Sequence, residues 1–327
     1  MRKTMKNALI SVLGASVIVS ALPLCAYADA DDTDNQYSVS VRVEGISECF
    51  CYDTVKIESE TELTAADILR ELDAQYDDLE ITWIISDYGD YISAVNGETA
   101  GCFGAWDGWM YCVNGVSPSV GVGSYTIADG DEIVLYYIYQ SSDVTPQYPE
   151  YDYDSSTGIL TFTSMDTVGY DDSWNAITER QAVEGMTVTL SNADCTYELV
   201  TDENGAVNLS DAGIDAEEYY LSYSKATEDG APLVLRPEPD LTFDVEYAYS
   251  IGDLNGDNVV DAVDASLILS IYAKTAVGDY TASAIEKGAA NVNYDAAVDA
   301  VDASLTLAYF AYSQTGGEAS FEEYLSE

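Results

Sequence analysis

Apolar and polar residues alternate in two stretches of the first third of the chain, Tyr37-Ser-Val-Ser-Val-Arg-Val43 and Asp131–Tyr139. That period of two predicts strands. Between them Ala65, Ile68, Leu69, Leu72 and Tyr76 fall on one helical face, and Thr64 with Asp67 makes a capping box at its start. Residues 37–140 are therefore expected to form a small α+β domain. Farther on, Ile159–Thr163, Met186–Leu190 and Tyr219–Ser224 are strand-like, and a turn at Thr201–Gly205 precedes another strand at Ala206–Leu209. Such short strands close most naturally into a β-sandwich, which assigns residues 157–247 to an all-β domain. Ser141–Ser156 holds Pro146, Pro149, acids and tyrosines with little apolar period, and reads as an extended linker at 141–156.

The first thirty residues follow a different rule. Arg2, Lys3 and Lys6 precede an apolar stretch, Ala8–Leu24, too short and too rich in small residues for a transmembrane span. Ala26-Tyr27-Ala28 and Ala28-Asp29-Ala30 are both small-residue cleavage sites, so residues 1–30 read as a secretory signal peptide. A Leu before Cys25 does not resemble a lipoprotein cleavage box. The protein is expected to be secreted, extracellular or held in a cell-surface complex. Glu322–Glu327 carries neither an apolar tail nor a wall-sorting signal, so retention at a surface is expected through some other element. In an oxidising compartment Cys49, Cys51, Cys102 and Cys112 have the number for two disulfides in any of three connectivities, while Cys195 reads as a buried free thiol.

Charge narrows the partners. The chain has 59 acidic and 11 basic side chains, a formal net charge of −48, with 47% hydrophobic residues to build a core. Such a surface repels phosphate backbones and offers no basic cluster to anionic headgroups, which excludes nucleic acid and membrane insertion as expectations. With no histidine in the chain, Ser-His, Cys-His and His-metal mechanisms are absent. Carboxylate-pair glycoside hydrolysis survives in principle, but no pair stands out. No enzymatic activity is expected.

The strongest signal is a repeat. Val260-Asp-Ala-Val-Asp-Ala-Ser-Leu267 recurs letter for letter as Val298-Asp-Ala-Val-Asp-Ala-Ser-Leu305, which marks a duplicated supersecondary unit. Just upstream, Asp253, Asn255, Asp257, Asp261 and Asp264 occupy positions 1, 3, 5, 9 and 12 of a twelve-residue loop, with the Val259 carbonyl at position 7. Asn291, Asn293, Asp295, Asp299 and Asp302 fill the same places in the second copy, with the Ala297 carbonyl at position 7. Hard oxygen donors at those positions let a short loop curl around Ca2+, so two calcium ions are expected. Position 6 turns sharply and favours Gly or Asn; the first loop has Asn258 and the second Ala296. Together with three carboxylates against four, this predicts a weaker second site. Each loop runs into an amphipathic helix, carrying Leu267, Ile268 and Ile271 in one copy and Leu305, Leu307, Tyr309 and Phe310 in the other.

These features make residues 251–315 resemble a type I dockerin of the style found in ruminococcal gut bacteria. Both loops end in Asp rather than the Glu of ordinary EF-hands, and the entering helix is missing, as in that family. The resemblance implies calcium-dependent docking onto a cohesin domain of a scaffoldin. It also implies recognition through loop positions 10 and 11, here Ala262 and Val263, then Ala300 and Val301. Identical residues in the two copies imply two docking orientations.

Gly108-Trp-Met-Tyr-Cys-Val-Asn-Gly115 and Tyr125–Val134 make residues 37–140 resemble the transcobalamin-like C-terminal domain, a β-grasp-like module. That likeness would permit cobalamin, with Trp109, Tyr111 and Asn114 on the implied face. In transcobalamins, however, the ligand is clamped against a helical barrel for which this chain has no candidate. Trp109, Tyr111 and Val113 share one strand face, the ordinary signature of a core, and Asn114-Gly115 reads equally well as hairpin-turn chemistry. Trp106 and Trp109 are candidates for stacking on sugar rings. The Thr201–Gly205 hairpin is similar to that of transthyretin-like or collagen-adhesin B-type sandwiches.

The expectation is thus a multidomain chain: a small α+β, β-grasp-like domain, an all-β sandwich and an all-α calcium-binding dockerin. Its function would be that of a secreted, non-catalytic component of a cohesin–dockerin, cellulosome-type complex. It would present a ligand-binding or adhesion module, in the company of polysaccharide degradation. The alternatives are a cobalamin- or carbohydrate-binding surface protein and an unrecognised glycoside hydrolase.

Overall fold

The computed structural model describes residues 35–326 except 87–88, 105, 142–143, 172, 174–175, 279 and 296. Residues 1–30, where a signal peptide is expected, lie outside the described residues. The chain is multidomain in character, with β-sheet regions followed by a helical C-terminal region.

The first block opens with strands β1 (Asn35–Glu44) and β2 (Cys49–Ser59), then helix α1 (Ala65–Gln75). Strands β3 (Ile81–Ser86), β4 (Gly89–Val95) and β5 (Glu98–Thr99) follow, then β6 (Gly108–Val113) and β7 (Glu132–Ile138). The main sheet has the order β2-β1-β7-β6, with β1 and β7 parallel, and β3-β4-β5 form a small second sheet. The parallel central pair joined through α1 is the β-grasp arrangement. The Thr64–Asp67 capping box forms as the sequence predicts, and Ala65, Ile68, Leu69 and Leu72 pack on the sheet beside Val39, Val41 and Val43.

Strand β7 departs from simple alternation, because every residue from Ile133 to Ile138 is buried. Ile133, Leu135 and Tyr137 face α1, while Val134, Tyr136 and Ile138 form a second cluster with Cys112, Tyr148 and Leu235. A strand covered on both faces reads as a continuous apolar run.

The same pleat corrects the disulfide expectation: all of the described cysteines are free thiols. Cys112 lies with the second cluster and Cys51 in the core under α1, on opposite faces of the sheet. Cys102 is held against the Tyr137 hydroxyl at 3.1 Å. The Cys49 thiol donates to the Cys51 carbonyl at 3.3 Å, and burial beside Glu44 pushes its pKa up to about 12, so it stays protonated and unreactive. Cys195 is half-buried and donates to Asn192 Oδ1 at 3.2 Å.

The linker expectation is also corrected. Gln147 pairs with Val234, and Glu150–Asp154 is a strand, β8. It is followed by β9 (Ile159–Tyr170), β10 (Ala176–Ala182), β11 (Thr187–Ser191), β12 (Thr196–Val200), β13 (Ala206–Asn208), β14 (Glu218–Ser224) and β15 (Thr242–Asp244). One sheet gathers β8, β10 and β13 around β9; the other has the order β12-β11-β14-β15. Leu160, Phe162, Val188, Leu190, Tyr219 and Leu221 fill the space between them. The Thr201–Gly205 turn needs its glycine: Gly205 has φ +75°, and a Cβ there would meet the Phe162 carbonyl oxygen at 2.2 Å.

The first block and the sandwich are joined by a buried ion network. Glu44 accepts from Arg42 Nη1 at 3.1 Å through one oxygen and from Arg236 Nη2 at 2.7 Å through the other. Arg42 Nη1 also reaches the Arg236 carbonyl at 3.0 Å.

The C-terminal region contains α2 (Ala262–Ala276), α3 (Ala284–Ala290), α4 (Ala300–Gln314) and α5 (Phe321–Leu325). Ile268, Ile271, Ala290, Val292, Ala303 and Phe321 form its core. The backbone N–H groups of Ala284 and Ile285 donate to the Ser210 carbonyl and hydroxyl at 2.9 and 3.0 Å, which ties α3 to the sandwich.

Candidate functional site

The duplicated loops fold alike because their last carboxylate is used twice. Asp264 and Asp302 are the third residues of α2 and α4, and each completes a capping box with the N-cap Asp261 or Asp299. The same carboxylates reach back into the loops. Asp264 Oδ1 accepts from Leu254 N and Asn255 N at 2.9 and 3.3 Å, and its Oδ2 accepts from Asp261 N at 2.9 Å. Asp302 repeats this with Val292 N, Asn293 N and Asp299 N at 3.0, 3.3 and 2.9 Å. Both carboxylates are 0% exposed. Among the described residues no ion pair reaches either of them.

Positions 3 and 5 curl the loop by short side-chain-to-backbone bonds. The side-chain oxygens of Asn255 and Asn293 accept from Asp257 N and Asp295 N, and the Asp257 and Asp295 carboxylates accept in turn from Val259 N and Ala297 N, all within 2.9 to 3.0 Å. The donor types predicted from spacing are thereby brought onto one short curl of chain in each copy. Among the described residues no three His, Cys, Asp or Glu side chains are gathered as a metal-binding group. The oxygens here are mixed, from carboxylates, amides and backbone.

Position 1 separates the copies. Asp253 accepts from Gly256 N and Asn258 N, both at 2.9 Å. Asn291 Oδ1, its counterpart, is buried with no hydrogen-bond partner. A buried oxygen without a donor, and a buried carboxylate without a cation, are each costly alone and each suited to a hard cation. Asn258 at position 6 is left-handed with φ 65°, and Ala296 lies outside the described residues. Sequence reasoning missed position 4. Gly256 has φ +71° there, and its counterpart Tyr294 has φ 58°, a conformation a bulky side chain rarely adopts. Aligning the repeat at that position would have shown it.

Of the residues at positions 10 and 11, Val263 and Val301 are 52% and 51% exposed on the first turns of their helices. Ala262 is half-buried and Ala300 exposed. Farther along, the two faces diverge. On α2, Leu267 and Lys274 are exposed; on α4, Leu305 and Tyr312 are half-buried. The Tyr312 ring packs on Tyr324 at 5.1 Å, and its hydroxyl accepts from Ala319 N at 3.3 Å, so the tail after α4 covers that end of the face.

The aromatic candidates of the first block are mostly core. Trp109 and Tyr111 are 5% and 9% exposed. The Trp109 indole donates to the Glu98 carbonyl at 2.9 Å and the Tyr111 hydroxyl to the Val120 carbonyl at 2.7 Å. Their side-chain donors are spent inside the fold, which corrects the expectation that they meet a ligand. Asn114 is a turn residue with φ 51°, bonded to Asp131 and to Glu132 N. Of the three aromatic candidates only Trp106 is open, at 70% exposure.

Residues 251–310 match the dockerin type I domain, and residues 64–138 match a domain of unknown function, DUF4430. No curated protein gives a match. Among solved structures the chain is similar to haptocorrin in complex with Cbi, at 19% identity and a TM-score of 0.29 over 33% of this chain and 26% of that one. It therefore spans about a quarter of the length of haptocorrin. It is also similar to a Ruminococcus gnavus protein described as metal binding, at 15% identity and a TM-score of 0.25 over 32% of this chain and 98% of that one. No helix among the described residues is long and apolar enough to cross a membrane.

Proposed function

We propose that this chain is a secreted, non-catalytic component of a cohesin–dockerin assembly, anchored through residues 251–315 and presenting residues 35–247 as a binding module. The observation that carries the reading is the duplicated loop-helix unit, with its two buried carboxylates and its exposed valines at matching positions. Asp253, Asn255, Asp257, Asp261, Asp264 and the Val259 carbonyl would hold one calcium ion. Asn291, Asn293, Asp295, Asp299, Asp302 and the Ala297 carbonyl would hold a second. Bound calcium supplies the charge that fixes each loop, and through it the start of each helix.

The first test is capture of the full chain by cohesin domains, with and without a chelator. Capture that disappears on chelation is expected; no capture by any cohesin tested would overturn the anchoring role. The second loop should bind calcium more weakly, because it has one carboxylate fewer and holds Tyr294 in a left-handed conformation. Tyr294→Gly removes a cost on the order of 1 kcal/mol, so calorimetry should read about fivefold tighter binding at that site. Equal affinities of the two loops in the unsubstituted chain would contradict this ordering.

Identical residues at positions 10 and 11 favour two docking orientations, but the covered end of α4 supports a preference for α2. If the faces were equivalent, blocking either one would weaken capture only about twofold, the statistical factor. Val263→Asp is instead expected to weaken it by about tenfold or more and Val301→Asp by less than about twofold. Equal small losses for both would establish equivalent faces.

A further inference from the structure

A cleft of about 580 Å³ opens where the turn between β1 and β2 meets the outer side of the sheet β12-β11-β14-β15. Its floor is set by the pleat. Tyr219, Leu221 and Tyr223 point into the sandwich core, which turns Tyr220, Ser222 and Ser224 outward. On the neighbouring strand Ser191, which pairs with Tyr220, also lines the cleft, and Thr189 and Thr187, which pair with Ser222 and Ser224, continue the row beyond it. The two strands thus present a grid of hydroxyls with one aromatic ring at its end, Tyr220, which is 53% exposed. In a chain with 59 acidic side chains, these outward positions carry no charge.

The rim supplies the complementary chemistry. Arg236 is the cation of the cleft, and its guanidinium is spent on Glu44 at 2.7 Å and the Gly45 carbonyl at 2.9 Å. Glu48, Glu238 and Asp240 line the same cleft, and Glu238 accepts from the Tyr52 hydroxyl at 2.8 Å. Carboxylates without a free cation repel anionic ligands and accept hydroxyl donors. A hydroxyl floor is poor for a purely apolar ligand. The rim segment Arg236-Pro-Glu-Pro-Asp240 is stiff, with two prolines and the Arg236 anchor, so little freedom is lost when a ligand enters.

We infer that this cleft is a binding site for a neutral oligosaccharide, with Tyr220 stacking on the C–H face of a sugar ring and the floor and rim hydrogen-bonding its hydroxyls. This deepens the proposed role of residues 35–247 by naming a ligand class. It does not depend on docking.

The test is isothermal titration of the full chain in calcium with cellohexaose, xylohexaose, mannohexaose and chitohexaose, with hexalysine and an oligogalacturonate as charged probes. At least one neutral hexasaccharide should bind with a Kd below about 1 mM. Tyr220→Ala should weaken that binding by about tenfold or more, while Tyr220→Phe, which keeps the ring, should retain it. Thermal unfolding checks that both variants are folded, and cohesin capture should be the same in both as in the parent chain. Failure of every neutral sugar would overturn the proposal, as would survival of binding in Tyr220→Ala. Salt-sensitive binding of hexalysine alone would overturn it in favour of a cationic peptide, and binding of the oligogalacturonate alone would also sink it. Loss of cohesin capture with sugar binding intact would sink the anchoring role and leave this one standing.

Discussion

Alanine at Asp264 or Asp302 is expected to abolish calcium binding by the corresponding loop and to melt the start of its helix. Each carboxylate is 0% exposed and holds three backbone N–H groups that belong to positions 2, 3 and 9 of its own loop. Removing it leaves those donors without their acceptor, at roughly 1–3 kcal/mol for each that water cannot reach, and removes half of a capping box worth about 1 kcal/mol. The loss exceeds what a module with a core this small can absorb, so calcium titration of either variant should show one site instead of two. Circular dichroism should show less helix. Because α2 is the more open face, Asp264→Ala should also eliminate most cohesin capture, and Asp302→Ala less of it. Two intact calcium sites in either variant would mean that the buried carboxylate is not what organises the loop.

The loops were legible because their information is local. Donor residues at fixed spacing, a capping box and an identical octapeptide in two places all lie within one short stretch of chain. The helix α1 was legible for the same reason. What escaped was set by partners far away in sequence. Strand β8 reads as a linker because Glu150–Asp154 buries almost nothing, with only Tyr153 half-buried; its conformation comes from the length of β9, which it pairs with along five residues. Strand β10 is almost entirely exposed and has no apolar period, and it too exists by pairing with β9. Four cysteines in one region suggested bridges, but only the sheet shows that Cys112 faces away from Cys51. The hydroxyl cleft needs both blocks together, since Ser191 and Tyr220 meet Glu48 only through the fold. Tyr294 is the exception, a local feature overlooked because position 6 drew the comparison.

The interblock network gives the largest stability effect expected outside the calcium loops. Glu44 is 3% exposed and Arg42 is 6% exposed, and Arg42 Nε already lacks a partner. Glu44→Ala would leave two guanidiniums facing each other across the space where the carboxylate lay, one of them almost wholly out of water. Breaking a buried pair on one side costs about 3–5 kcal/mol, far more than the pair contributes when intact. Urea unfolding of the full chain should therefore shift by about that amount in Glu44→Ala, first in the transition that reports the first block and the sandwich. The double variant Arg42→Met with Glu44→Leu removes both buried charges and extends the apolar patch of Val134, Tyr136 and Leu235 beside them. It should recover most of the loss, because the large term is the stranded charge and not the missing attraction. If the double variant were as unstable as Glu44→Ala, the anchoring of Arg236, and with it the shape of the cleft rim, would have to be the dominant contribution. Sugar binding measured in the double variant separates the two: a rim held by Arg236 through Glu44 loses its shape, and its affinity, even where stability returns.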